Sequence, residues 1–360
     1  ELTDKYIKAY EDVRRDLNLE FPTYAPRVTE TMDQIIAFIE KLVEKGYAYE
    51  VEGDVYFRVS KVKEYGELSG IKIEDLVAGA SERVEDKGVK EESTDFALWK
   101  KTDEGIQFDS PWSKGRPGWH TECVVMIQDV FKKTLIDIHG GGLDLKFPHH
   151  ENEIAQCEVC NDTHLANIWV HNGMININGI KMSKSLGNVW WAKDLIANHG
   201  GNLTRWLMIS THYRAPLNLN EEAFTTSKKE LDKIAAAYKQ ACVKLVLSSA
   251  QEATTFDETY TAFIDALNDD LNTPNAISVV YELVKKINQA VRQREIDVEN
   301  LAVLVHTLEK MLYILGIEFD KVSMTNEDKE MYQNWRSAVK EKDFKTADTL
   351  RQTLIEKGIL

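Results

Sequence analysis

The chain has 360 residues, 43% of them hydrophobic and 29% charged, which is ordinary for a globular protein and enough for two or three domains. Its 44 basic and 59 acidic residues give a formal net charge of −15, which weighs against a broadly basic nucleic-acid surface but leaves local patches open. No run of about 18 apolar residues exists, so no membrane-spanning helix is expected; the first residues are not expected to act as a signal peptide, and four cysteines are too few for a disulfide scaffold.

In chain order, residues 1–20 carry Ile7, Tyr10, Val13 and Leu17 at helical spacing, and the Pro22 to Pro26 stretch breaks the helix. A second helix is predicted over 29–46, with Thr29 as cap, an apolar stripe of Ile35, Ile36, Ile39, Leu42 and Val43, and Gly46 as stop. Residues 47–50 and 54–59 read as a hairpin about Glu52-Gly53. Residues 60–95 are polar turns with one short helix, and 95–100 a short strand.

The texture changes near Ser110. A helix over 120–131, a buried strand over 135–139, a helix over 147–160 and short strands at 168–170 and 174–177 suggest a parallel sheet. Beyond Lys193 the spacing is helical almost throughout, with helices predicted over 222–248, 256–268, 273–292, 297–315 and 326–357. The fold class is therefore an α/β half followed by an all-α half. The chain does not open on methionine, so a cut or processed N-terminus is expected.

Three constellations carry chemistry. Cys123 lies on one predicted helix, and His149 and Glu153 sit four residues apart on another, where they share a face. A thiolate, an imidazole and a carboxylate can converge on one zinc ion and leave a position open, as catalytic sites do. The ordinary alternatives are a core cysteine and a surface His/Glu pair; Cys157-x-x-Cys160 is a rival zinc pair. Next, Gly140, Gly141 and Gly142 end a strand and permit close approach of a ligand, with Asp144 suited to ribose hydroxyls; a plain turn is the alternative. Last, Lys181-Met182-Ser183-Lys184-Ser185 lies between Asn178-Gly179 and Leu186-Gly187-Asn188. Two lysines on a glycine-flanked loop can close on charge developing at an α-phosphate, Lys184 foremost and Lys181 second, where the alternative is a solvated basic turn.

Together these strings resemble the bacterial-type cysteinyl-tRNA synthetases of class I over the whole chain. The matching motifs are Gly115-Arg116-Pro117-Gly118-Trp119-His120 with Glu122-Cys123, Asp137-Ile138-His139-Gly140-Gly141-Gly142, and the 147–156 string around His149-His150-Glu151-Asn152-Glu153. The Lys-Met-Ser-Lys-Ser loop and Asp269-Asp270-Leu271-Asn272-Thr273-Pro274 complete the set.

The resemblance implies a partial Rossmann-like parallel sheet with a connective insertion, followed by a helical-bundle anticodon-binding domain. Residues 1–25 would lead out of an N-terminal Rossmann half, with the connective insertion at 26–109 and the second Rossmann half with the lysine loop at 110–192. A stem-contact linker at 193–225, the bundle at 226–320 and anticodon-binding helices at 321–360 would follow. Cys123, His149 and Glu153 would be three of the family's four zinc ligands, one ion per subunit. Trp119 and His139 would line the cysteine pocket, Lys184 would bind ATP, and Asp348 and Arg351 would contact the anticodon.

The implied activity is ligation of L-cysteine to its tRNA through cysteinyl-adenylate, with ATP and Mg²⁺, by a cytoplasmic monomer without membrane association. Three departures stand out. None of the nine histidines lies in the family's His-Ile-Gly-His motif, Val339 stands where an arginine is usual, and the acidic-Gly-Trp tail is missing. These residues alone are accordingly expected not to form adenylate. Two alternatives remain: a cysteine ligase acting on an amino sugar, and a non-catalytic tRNA-binding module. The 343–357 region argues against the first, and the zinc and lysine features against the second.

Overall fold

The computed structural model describes residues 2–73 and 89–360. They form two compact units, Pro22–Met174 and Glu1–Phe21 with Ile175–Leu360.

In the Pro22–Met174 unit, the Met32–Glu44 helix buries Ile35, Phe38, Ile39 and Leu42 on one face. Thr29 is not its cap. It lies in the short turn Val28–Glu30, and the helix starts after Thr31, whose hydroxyl donates back to the Val28 carbonyl. Strands Ala48–Val51 and Asp54–Phe57 pair antiparallel around Glu52 and Gly53, both at positive φ, as a two-residue hairpin loop requires. Phe96–Lys101 and Gly115–Pro117 extend this to a four-stranded antiparallel sheet whose inner face places Val55, Phe57, Leu98 and Trp99 in the core. Of the short helix expected within 60–95, Val59–Lys61 supplies one turn; residues 74–88 lie outside the described residues.

The second layer of this unit is a parallel pair, Ile136–Gly142 with Ala166–Asn172, connected through the Glu151–Asn161 helix. The first strand was expected to be buried, yet Ile138 is 60% exposed and its register partner Ile168 is 55% exposed. Alternation of side chains turns both isoleucines to the same open face, so an apolar run did not mean burial on both sides. The helix expected over 147–160 also begins later. Phe147 is extended, a cis peptide joins it to Pro148, and Lys146–His150 makes a wide turn before the regular helix opens at Glu151.

In the other unit, Ile175–Ile177 is the middle strand of three. It pairs antiparallel with Ile180–Lys181 and parallel with Leu217–Leu219, a strand too short for periodicity to reveal. Helices follow: Ala192–His199, Gly201–Ile209, Glu221–Leu247, Thr259–Asn268, Thr273–Arg292 and Val298–Leu315. They enclose one apolar core that includes Trp206, Ile234, Phe263, Leu283 and Leu308. Side chains cap the entries: Asn220, Asn272 ahead of Pro274, Asp297 and Asp343 each accept a backbone N–H, and Thr325 with Asp328 forms a reciprocal capping box. The single helix expected over 326–357 is two, Asn326–Glu341 and Phe344–Glu356. Lys342 turns left-handed and Asp343 starts the next helix, a break too short to disturb the apolar period. Among the described residues no helix is long and apolar enough to cross a membrane.

Arg205 ties this unit together. Its guanidinium donates to the Leu315 carbonyl at 2.5 Å and to the Leu17 and Asn18 carbonyls at 2.7 and 3.2 Å, at the C-terminal ends of two helices. Asn18 donates back to the Gly316 carbonyl at 3.0 Å. Gly316 closes the Val298–Leu315 helix at φ +71°, and a Cβ there would strike the Arg205 guanidinium. Gly358 has a similar φ of +70° but open space around it. Gly358→Ala should therefore cost about 1 kcal/mol for the left-handed backbone alone, and Gly316→Ala clearly more. Thermal unfolding of both variants checks this; equal losses would show that the Arg205 guanidinium yields to the added Cβ without cost.

Candidate active site

The Gly115–Pro117 strand delivers Trp119 and His120 to the start of the Thr121–Phe131 helix, with Cys123 in its first turn. The Lys146–His150 turn delivers His149, and the next helix delivers Glu153. One ligand atom each from Cys123, His149 and Glu153 lies within 4.8 Å of the others. Small side-chain rotations bring such a set to the roughly 3.3–3.8 Å separations of a tetrahedral zinc shell. His149 and Glu153 are buried, and Cys123 is half-buried.

The electrostatics suit a cation. Glu153 has no exposed surface, and its Oε1 is buried without a hydrogen-bond partner, 3.3 Å from His149 Nε2. Its Oε2 takes a hydrogen bond from His139 Nε2 at 2.8 Å. Burial opposes the Glu153 charge, yet the bonds and the pull of His139 and His149 hold its carboxyl down at about 2. A buried carboxylate oxygen left unpaired is costly, and a metal ion is the partner that such a donor set fits. Burial first, then the Glu153 and Glu122 charges, push the Cys123 thiol up to about 12, so without a cation it stays protonated.

Around this trio lie residues that spacing did not single out. His120 Nδ1 and His149 Nδ1 are 3.0 Å apart, and His150 Nδ1 and His171 Nε2 are 2.8 Å apart. Burial drives both His120 and His150 down to about 4, so both rings are neutral. His149 Nδ1 rests against His120, and its Nε2, 3.3 Å from Glu153 Oε1, is the nitrogen left for a metal ion. Trp119 stacks on the His149 ring at 4.7 Å and is 57% exposed, an open wall beside the trio. Trp169 packs on His139 at 4.6 Å. The His149-His150 doublet and His120 three residues before Cys123 were the available sequence signals. His139, His150 and Glu153 also bring ligand atoms within 4.8 Å, so Glu153 lies between two donor groups.

The same helix anchors the chain at residues 65–69. Glu151 accepts hydrogen bonds from the Gly66 and Ser69 amides at 2.9 and 2.8 Å, and Asn152 accepts one from Tyr65 at 2.5 Å. Cys157 and Cys160, the rival zinc pair, are buried in the apolar core, and among the described residues no third ligand joins them.

The glycine triplet serves the chain's own side chains in part. A Cβ at Gly141 would lie 2.8 Å from the His150 ring, and one at Gly142 would strike the Asp144 carboxylate. Gly140 meets nothing closer than 3.4 Å, and Asp144 is exposed in the turn Leu143–Leu145.

In the other unit, Asn178 and Gly179 make the tight turn of the Ile175–Ile177 and Ile180–Lys181 hairpin, which presents the lysine loop. Lys181 and Lys184 are exposed, and among the described residues no carboxylate pairs with either. Both ammonium groups are free for an anion. Asp348 and Arg351 are exposed one turn apart on the Phe344–Glu356 helix, and Val339 is 43% exposed on the preceding one.

Comparison with known proteins bears on all of this. Residues 1–229 match the family model described as the tRNA synthetases class I (C) catalytic domain, and residues 262–320 match the DALR domain. A cysteine–tRNA ligase of Halalkalibacterium halodurans is 40% identical, with all of this chain aligned to 78% of that protein's length. One from Mesoplasma florum is 39% identical, with all of this chain aligned to 81% of its length. Among solved structures, Mycobacterium tuberculosis methionyl-tRNA synthetase in complex with methionyl-adenylate matches 86% of this chain and 75% of its own, with a TM-score of 0.53 at 13% identity, a likeness of fold.

Proposed function

The chain belongs to the cysteine–tRNA ligase family of class I tRNA synthetases, and from that premise we propose that Cys123, His149 and Glu153 hold the zinc ion that selects its amino acid. The reaction is ATP-dependent attachment of cysteine to tRNA. A carboxylate oxygen of cysteine attacks the α-phosphorus of MgATP, the bond to pyrophosphate breaks, and the acyl group then passes to a terminal ribose hydroxyl of tRNA with release of AMP. The cytoplasm, which holds free cysteine, ATP and tRNA, is the compartment this reading assigns.

The observation that carries the zinc reading is the buried, unpartnered Oε1 of Glu153 beside the Cys123 thiol and His149 Nε2. A zinc ion held by these three residues would supply Lewis acidity that favours a substrate thiol over a serine hydroxyl, so one atom's difference would be read without an editing site. The chain's own side chains prepare the place. His139 orients the Glu153 carboxylate through Oε2, His120 rests against Nδ1 of His149, and Trp119 covers one side of the ring.

His139 and Trp119 line the amino-acid pocket in this reading. Gly140, Gly141, Gly142 and Asp144 are assigned to nucleotide binding, and Lys184 with Lys181, on the lysine loop of the other unit, to phosphate. The DALR-matched helices and the two that follow hold the tRNA, with Asp348 and Arg351 toward the anticodon.

Elemental analysis of the purified protein is the direct test. One zinc per chain is expected, lost in Cys123→Ser while the fold persists by circular dichroism. Full zinc occupancy in Cys123→Ser would overturn the ligand assignment.

A further inference from the structure

Given the lysine loop as the phosphate clamp described above, we infer that Asn188 is its positioning residue, a carboxamide that holds the loop's two ends together and so fixes the base from which Lys184 reaches. The loop leaves the hairpin at Lys181. Met182 is its first anchor: its amide donates to the Ile175 carbonyl at 3.0 Å, and its side chain packs against the apolar core. Asn188 is the second. Its Oδ1 accepts the Ser183 amide at 2.9 Å, and its Nδ2 donates to the Lys181 carbonyl at 3.2 Å. One half-buried side chain thus satisfies an acceptor just before Met182 and a donor just after it, and closes residues 183–188 into a ring.

A carboxamide, with a donor on one arm and an acceptor on the other, makes both bonds at once. The contacts also fix which way the amide faces, since the reverse orientation would set donor against donor and acceptor against acceptor. Inside the ring, the Gly187 amide donates to the Lys184 carbonyl at 3.2 Å, the Leu186 amide donates to Ser183 Oγ at 3.3 Å, and Ser183 Oγ lies 3.2 Å from Ser185 Oγ. The backbone on both sides of Lys184 is therefore committed while its ammonium remains free.

A lysine on a four-carbon stem searches widely unless its Cα is held. Orientation of a catalytic group is worth as much as about 10²-fold in rate for a 1 Å misplacement. Asn188 touches no substrate in this scheme; it acts through the loop it closes.

The test uses the intact protein and two variants, Asn188→Ala, which removes both bonds, and Asn188→Asp, which keeps only the acceptor. In ATP–pyrophosphate exchange, kcat should fall about ten- to a hundredfold in Asn188→Ala. KM for cysteine and the melting temperature should stay at their wild-type values, and Asn188→Asp should also lose rate. Trypsin, with fragments read by mass spectrometry, should cut after Lys181 and Lys184 faster in Asn188→Ala, and MgATP should protect the wild type but not the variant. Wild-type kcat and wild-type tryptic rates in Asn188→Ala overturn the assignment, as does a rate loss matched by lost cysteine binding or a lower melting temperature. If the wild type shows no exchange, the ligase reading fails, and the tryptic rates alone then decide whether Asn188 closes the loop.

Discussion

Lys184→Ala will lower the rate of ATP–pyrophosphate exchange by the intact protein about 10²–10³-fold and leave cysteine binding unchanged. Lys184 is exposed, and no carboxylate among the described residues neutralises it, so its charge is available in full to a phosphate. Negative charge grows on the α-phosphate only as the carboxylate attacks, so the ammonium is worth more in the transition state than in the ground state. The loss should accordingly fall on kcat, with KM for ATP moving less. Lys181 should matter less. Its backbone is in a strand pair with Asn176, which restricts its reach. Lys184 is not among the side chains assigned to cysteine, so calorimetric cysteine binding should be unaffected. A variant that raised KM for ATP at full kcat would show that the lysine only binds nucleotide.

Glu153→Gln will strip the zinc. The amide has nearly the volume of the carboxylate and can still bond His139, so the fold should survive. A neutral amide oxygen, however, cannot replace a buried anionic ligand. Losing an outer partner of a zinc ligand costs about 10–100-fold in metal affinity, and losing the ligand itself should cost more. Discrimination between cysteine and serine should then fall by about 10² or more, because the remaining pocket has only one heavy atom's difference to read. Elemental analysis and exchange assays with both amino acids check this.

The pH dependence has a definite sign. The metal-free Cys123 thiol, pushed up to about 12, is protonated between about pH 6 and 8 and must lose that proton to bind. Zinc affinity should therefore rise about tenfold per pH unit across that window and weaken as pH falls. Glu153, held at about 2, is already ionised there and contributes no such slope. A flat profile would mean that Cys123 is not a ligand.

How much of this was legible beforehand depended on range. The trio of Cys123, His149 and Glu153 could be read from a cysteine on one helix and an i,i+4 pair near another. The wide turn at Lys146–His150 moved the helix start without separating that pair. His139 was expected beside the trio through the family resemblance, but the convergence of His120, His150 and His171 could not be read, because it depends on strand register and on a turn meeting a helix end. The glycines at 140–142 were visible as room for something. That His150 and Asp144 use part of it is a tertiary fact. Caps such as Asp343 were overlooked because the apolar period ran on through the two-residue break. Buried strands were misjudged at Ile138, since a hydrophobic run says nothing about which of its two sides another layer covers.

Glu151 and Glu153 occupy one turn of a single helix, one grasping the amides of Gly66 and Ser69, the other facing the proposed ion. Any twist of that turn on metal capture is handed to two protons far along the chain. Nuclear magnetic resonance signals of those two amides thus become a built-in gauge of occupancy, readable by titration without altering a single ligand.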